Sequence, residues 1–216
     1  KLVLTTTAGL ILFSLVFFFF TETEAMFSGI GVIDRLVNSL FLGISARTAG
    51  FSSVDLSRAV PATLLALMLL MFIGASPAGT GSGIKTTTLT VLFLAAISRM
   101  RARGDLVVFN RRIDKDTILR ALTVTVLAFG VIFIAIILLS FFDSHEIMKL
   151  MFEAFSAFGT GLGIGITPDL SAGAKIVIIF LMFFGRLGPL TLAFALLERS
   201  ARKEPIKFPQ GNVIIG

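Results

Sequence analysis

Gly74-Ala75-Ser76-Pro77-Ala78-Gly79-Thr80-Gly81-Ser82-Gly83 interrupts what would otherwise be one long apolar run, with residues 60–73 before it and 84–97 after it. Written as a single helix rising 1.5 Å per residue, residues 60–100 would measure about 60 Å, twice the thickness of a bilayer core. The stretch therefore reads as a break inside a membrane-spanning segment. Backbone N–H and C=O groups freed by such a break find no partners in lipid, so irregular chain survives there only where protein or a water-filled path surrounds it. The break predicts a membrane protein that lines a conduit. Its small residues let it pack closely, and Ser76, Thr80 and Ser82 are placed to bond freed backbone groups.

The rest of the chain agrees. Of its 216 residues 56% are hydrophobic, and the mean hydropathy is +0.97. Further apolar runs near residues 2–20, 119–142 and 174–197 are long enough to cross a bilayer, so four crossings are expected. The chain opens with Lys1 at the edge of a span, which reads as part of a longer polypeptide. Cysteine is absent, excluding disulfide frameworks and thiolate metal sites, and a lone histidine, His145, excludes a multi-histidine metal centre. With no Trp or Tyr to form interfacial belts, the 23 Phe residues serve as lipid-facing and packing surface.

Charge sets the orientation. Arg99, Arg101, Arg103, Arg111, Arg112, Lys115 and Arg120 cluster after the second crossing, and Arg199, Arg202, Lys203 and Lys207 follow the last. By the positive-inside rule both regions are cytoplasmic, namely a loop at 104–116 and a C-terminal tail at 201–216. The connectors 21–58 and 143–171 then lie outside. Each holds an amphipathic segment too short to span, residues 33–44 and 146–158, which reads as a re-entrant half-helix.

The two half-helices end alike: Ser45-Ala46-Arg47-Thr48-Ala49-Gly50-Phe51 and Ser156-Ala157-Phe158-Gly159-Thr160-Gly161-Leu162. Asp55-Leu56-Ser57 recurs farther on as Asp169-Leu170-Ser171, which implies three inserted residues in the second copy. The predicted fold is an all-α membrane protein of two tandem span, pore-helix and span units, at 1–103 and 117–200, with a period near 111 residues. This is the architecture of a potassium-channel pore unit, where backbone carbonyls replace the ion's hydration shell. Aiming successive carbonyls at one axis demands backbone angles that a β-carbon opposes, hence the glycine. The candidate filter residues are Thr48, Ala49, Gly50 and Phe51, with Thr160, Gly161, Leu162 and Gly163. The plain alternative for either glycine is an ordinary loop position, against which the matched context argues.

These phrases, with Ala75 to Thr87 of the break, Phe184-Gly185-Arg186-Leu187-Gly188-Pro189-Leu190-Thr191 and Glu204-Pro205-Ile206-Lys207-Phe208-Pro209, resemble the Trk/Ktr/HKT potassium transporters, and most closely the KtrB type. The resemblance spans essentially the whole chain. It implies a pseudo-fourfold pore of which this chain is the third and fourth repeats, in a bacterial plasma membrane. It implies K+ as the transported ion, bound at the filter residues, with Na+ as a candidate activator and no covalent cofactor. The implied partners are the other two repeats of the same polypeptide, a second copy in a homodimer, and a cytosolic KtrA-type ring that alone binds nucleotide. Residues 74–83 and Arg186 become an intramembrane gate. One departure stands: the family commonly shows another residue between the threonine and the filter glycine, whereas Gly161 follows Thr160 directly. The filter register in the second unit lies between Gly161 and Gly163.

Arg186 has two compatible readings, a clamp on loop carbonyls and a positive barrier beneath the filter. Lys85 either lines the inner cavity or anchors a helix end, Lys175 snorkels outward, and His145 is a solvated cap. The tail 208–216 either packs at a dimer interface or frays. Other classes fit poorly. A phosphate loop needs glycine, lysine and serine or threonine in succession, but Ile84 separates Gly83 from Lys85. An intramembrane enzyme would need paired carboxylates, several histidines or a cysteine at depth. No soluble aromatic platform points to nucleic acid. A non-conducting structural or assembly subunit is the remaining alternative.

Overall fold

The computed structural model describes residues 1–188 except 24, 78–80, 102–105 and 110, and gives only the backbone of Leu106 and Arg111. The described chain is mostly helical. Two helices are long and apolar enough to cross a membrane unaided, α1 (Leu2–Thr21) and α5 (Lys115–Phe142). The Asp114 carboxylate accepts the Lys115 N–H at 2.9 Å and caps α5, while Asp116 complements the dipole in its first turn. The half-helices are α2 (Val32–Ser45) and α6 (Ile147–Gly159). The long apolar run is split into α3 (Pro61–Phe72) and α4 (Thr86–Met100), and α7 (Ala172–Leu187) is the last described helix.

Three local features differ from the sequence reading. The basic loop holds a short antiparallel hairpin, β1 (Leu106–Val108) with β2 (Arg111–Ile113), in which Val107 opposes Arg112. The helix α7 ends at Leu187 and passes into Gly188 at φ +80°, so Arg186 sits in its last turn; residues 189–216, including the tail, lie outside the described residues. The N-cap of α6 is Glu146, paired with Lys149 at 3.9 Å, and His145 merely precedes it.

The internal repeat is more regular than the sequence suggested. Ser45 and Ser156, the short 3-10 turns Leu56–Arg58 and Thr167–Asp169, and the first residues of α3 and α7 are all 111 apart, with no insertion. The Asp-Leu-Ser match is therefore out of register. Asp55 caps the first 3-10 turn by accepting the Ser57 N–H at 3.0 Å, an interaction that with the Ser57 hydroxyl holds its carboxyl below the usual range. Ser171, in the other copy, instead caps α7 by accepting the Ala174 N–H. Two different capping tasks select the same small polar residue types.

The units interlock. Phe152, Leu162 and Ile164 from the second unit are buried among residues of α1, α2 and α3, whereas Phe72 and Ile84 from the first are buried with α5, α6 and α7. Phe72 stacks into an aromatic group with Phe129, Phe155 and Phe158 at centroid distances of 4.5 to 6.3 Å.

A carboxylate ties the two ends of each unit together. Glu22, fully buried just after α1, accepts the N–H of Val60 at 3.0 Å through Oε1 and that of Met26 at 3.2 Å through Oε2. Asp143, just after α5, accepts the Ser171 N–H at 3.1 and 3.2 Å and its hydroxyl at 3.0 Å. Val60 and Ser171 are the N-cap residues of α3 and α7, again 111 apart. Glu22→Ala leaves two amides unpaired, at a cost of about 1–3 kcal/mol. Its expected result is a lower thermal midpoint in detergent, partly recovered in Glu22→Gln; an unchanged midpoint would remove the clamp.

Candidate functional site

Each half-helix delivers a serine to the turn that follows it. Ser45 Oγ accepts the Phe51 N–H at 2.9 Å and donates to the Phe51 carbonyl. Its own carbonyl accepts the N–H of Ala49 at 3.1 Å and of Gly50 at 3.2 Å. Ser156 repeats the pattern, donating to the Leu162 carbonyl and accepting Thr160 and Gly161 N–H at 2.8 Å. These bonds force the chain to reverse after the helix, and the residue at the reversal takes positive φ: +77° at Gly50 and +90° at Gly161. That is a region where a β-carbon clashes with the backbone. The sequence reading assigned roles to the glycines and none to Ser45 or Ser156; the repeated Ser-Ala pair was the available signal.

The two turns meet. A β-carbon built on Gly50 would fall 2.5 Å from the Thr160 carbonyl oxygen and 3.6 Å from the Gly161 carbonyl carbon. Thr160 Oγ1 also approaches the Ala46 carbonyl at 3.4 Å. Beyond Gly161 the side chains alternate in burial: Leu162 and Ile164 are buried, while Gly161, Gly163 and Gly165 form an exposed face without side chains. Nothing lies within 4 Å of a β-carbon placed on Gly161 or Gly165. Open space thus borders a row of bare backbone. Gly163 lacks the positive φ shared by Gly50 and Gly161.

The break between α3 and α4 is a loop with a pinched neck. Ile73 and Ile84 form a parallel bridge, the Ile84 N–H donates to the Phe72 carbonyl at 3.0 Å, and Thr86 N–H reaches Ala75 O at 3.4 Å. Gly74 and Gly83 make the approach possible, since a β-carbon on Gly83 would sit 3.0 Å from both Gly74 N and Cα. Neither Ser76 nor Ser82 makes a side-chain hydrogen bond among the described residues; the neck is held by backbone instead. Ala78, Gly79 and Thr80 lie outside those residues.

The head of the loop touches the first turn. A β-carbon on Gly81 would overlap Ala75 Cβ and lie 3.0 Å from both Cγ2 and Oγ1 of Thr48. Thr48 itself holds φ +85°, a strained conformation for a β-branched residue. Lys85, the N-cap of α4, donates from Nζ to Gly81 O at 2.8 Å, which ties the loop to the helix after it. Gly185 lets α7 lie against the Phe158 carbonyl. Among the described residues Lys85 holds a loop carbonyl, that of Gly81; residues 78–80 of the loop lie outside them. Lys175 bonds Pro168 O at 2.7 Å on the opposite end of α7. No group of three or more His, Cys, Asp or Glu residues suited to a metal occurs among the described residues.

Comparison with known proteins identifies relatives of the chain. The profile of the family TrkH, cation transport protein, matches residues 1–204. The chain is 39% identical over 186 residues to the Ktr system potassium uptake protein B of Bacillus subtilis, covering 86% of this chain and 41% of that protein. It is 37% identical to Ktr system potassium uptake protein D of the same organism, over 100% of this chain and 48% of the relative. The potassium/sodium uptake protein NtpJ of Enterococcus hirae is 36% identical, over 100% and 49% respectively. The chain thus spans about half the length of these curated relatives. Its fold is also that of the crystal structure of the potassium transporter TrkH from Vibrio parahaemolyticus, with a TM-score of 0.72, 21% identity, and 92% of this chain covered against 44% of that one.

Proposed function

The chain belongs to the TrkH cation transport protein family, and from that premise we propose that it is a pore-forming part of a potassium uptake system. The observation that carries the reading is the pair of matched turns, each pinned by a serine six residues upstream and each reversing at a glycine of positive φ, that meet beside a bare glycine face. Carbonyls of Thr48, Ala49, Gly50 and Phe51 and of Thr160, Gly161, Leu162 and Gly163 supply the oxygen ligands in place of water. The constant 111-residue spacing favours Gly161 over Gly163 as the partner of Gly50. Translocation involves no covalent chemistry.

Two such turns supply half of a fourfold filter, so the pore requires two further repeats of the same polypeptide. The half-helix α2 supports this. Its counterpart α6 packs against α3 of the preceding unit, while α2 packs mainly on α1 and leaves Val32, Ile33, Leu36, Val37, Phe41 and Ile44 exposed. Such an apolar face on a re-entrant helix calls for a protein neighbour. The basic hairpin loop and the C-terminal tail face the cytoplasm by the positive-inside rule, in a multi-pass plasma-membrane arrangement. Na+ activation, a homodimer and a cytosolic nucleotide-binding ring of the KtrA type complete the proposal.

Residues 74–83 act as the gate, with Arg186 adding positive charge where a cation would pass. Replacing Arg186 by alanine lowers that barrier, and the expected result is faster potassium uptake at unchanged membrane abundance; unchanged uptake would reject its gating role. Uptake of K+, Rb+ and Na+ into liposomes by the intact polypeptide tests the function itself. Equal K+ and Na+ rates would overturn selectivity, and no flux at all would leave the assembly role.

A further inference from the structure

Glu153 is a carboxylate where the repeat calls for an apolar side chain. It lies on α6, is 4% exposed, and bonds the first residue of the 3-10 turn that follows residues 161–166. The residue 111 positions earlier is Leu42, fully buried in the first unit. Its partner shows the same exchange: Glu153 Oε2 accepts the Thr167 hydroxyl at 3.0 Å, and the position 111 before Thr167 is Leu56, also buried in that core. One unit thus has buried leucines at the two positions, and the other a hydrogen-bonded pair that joins its half-helix to its 3-10 turn. Burying a carboxylate costs far more than burying a leucine, and apolar packing alone would serve to close the core. The polar pair therefore supplies something that leucines do not, which is direction.

The placement shows what is directed. Ser156 fastens the near end of the stretch at the Leu162 carbonyl, and Thr167 begins the turn that closes its far end. Between them Leu162 and Ile164 are buried, and Gly161 and Gly165 border open space. Glu153 Oε1 is buried without a partner among the described residues, so the hold on the far end rests on the Thr167 hydroxyl.

We propose that the Glu153–Thr167 pair is a latch that sets the spacing of the backbone carbonyls between Gly161 and Gly165, making Glu153 a positioning residue for ion selectivity. The inference rests on the reading of these carbonyls as filter ligands. The latch fixes the stretch by hydrogen-bond geometry, which tolerates less slippage than side-chain packing, and the second unit becomes the stiffer contributor to the filter.

The test uses the intact transporter in cells lacking other potassium uptake, with K+, Rb+ and Na+ uptake and membrane abundance measured together. Thr167→Val keeps the shape and removes the donor, while Thr167→Ser keeps the donor. Glu153→Leu with Thr167→Leu recreates the pair of the first unit and preserves an apolar fit. The expected result is a loss of K+ over Na+ discrimination of about three- to tenfold in Thr167→Val and in the double variant, with near-normal abundance, and retention in Thr167→Ser. Unchanged discrimination in both altered proteins overturns the latch, as does failure of both to reach the membrane, which would make the pair purely structural. Gly161→Ala separates the layers: if it shifts discrimination while Thr167→Val does not, the filter reading stands and the latch falls, and if neither shifts it, both fall.

Discussion

Gly50→Ser is expected to lower the preference for K+ over Na+ by about tenfold or more, the largest selectivity change of any single substitution in the two turns. Two costs coincide at this position. A side chain at φ +77° costs about 1–2 kcal/mol by itself. The added β-carbon would also lie 2.5 Å from the Thr160 carbonyl oxygen, a backbone atom that cannot swing aside like a side-chain tip. Relief requires one turn or both to move, so a change in the first unit displaces carbonyls in the second. At Gly161 only the first cost applies, because nothing lies within 4 Å of its β-carbon. At Gly163, where φ is not positive and the nearest atom is 3.9 Å away, neither does. Relative uptake of K+ and Na+ should therefore worsen in the order Gly163→Ala, Gly161→Ala, Gly50→Ser. A larger effect at Gly163 than at Gly161 would move the filter register of the second unit to Gly163.

Only some parts of the molecule were legible in the sequence. Helix α1, the half-helices and the break at residues 74–83 follow from apolar length and small-residue composition, properties carried by contiguous residues. The repeat was visible because Ser45 and Gly50 recur as Ser156 and Gly161 with identical spacing. Its exact register was obscured by Asp55-Leu56-Ser57, since short polar triplets recur wherever helix starts need acceptors, and Asp55 and Ser171 cap different elements. The hairpin at 106–113 was missed because a charged, three-residue-per-strand ribbon has too few alternations to separate it from a loop. Glu153 was missed for another reason. On an amphipathic half-helix an acidic residue reads as solvent-facing, and only the chain folding back through Thr167 turns that position into the interior. Glu22 and the contact of Gly81 with Thr48 are of the same kind, joining residues far apart in sequence whose partners no local pattern announces.

That last contact carries the second large prediction. Gly81→Val should raise potassium uptake about tenfold without lowering the amount of protein in the membrane. In the observed arrangement the loop head sits against Thr48, and any β-carbon at position 81 overlaps Ala75 and presses on both branches of the threonine. Thr48 has no freedom to retreat, since its φ of +85° is already a conformation that costs about 1–3 kcal/mol and is held by its surroundings. Overpacking of this sort also costs about 1–3 kcal/mol, which is roughly a five- to hundredfold shift between the seated and withdrawn loop. The overlap reaches the neck only at Ala75, whose carbonyl takes the Thr86 N–H at 3.4 Å; the Ile73–Ile84 bridge and the Ile84 bond to Phe72 lie outside it. Gly83→Ala supplies the contrast: it crowds Gly74 at 3.0 Å and forces a side chain to φ +76°, so the neck itself fails and membrane abundance falls instead. Uptake per transporter in the two variants separates a loop that blocks from a loop that merely supports. Normal abundance with reduced uptake in Gly81→Val would mean that the seated loop is the conducting arrangement, reversing the direction of the gate.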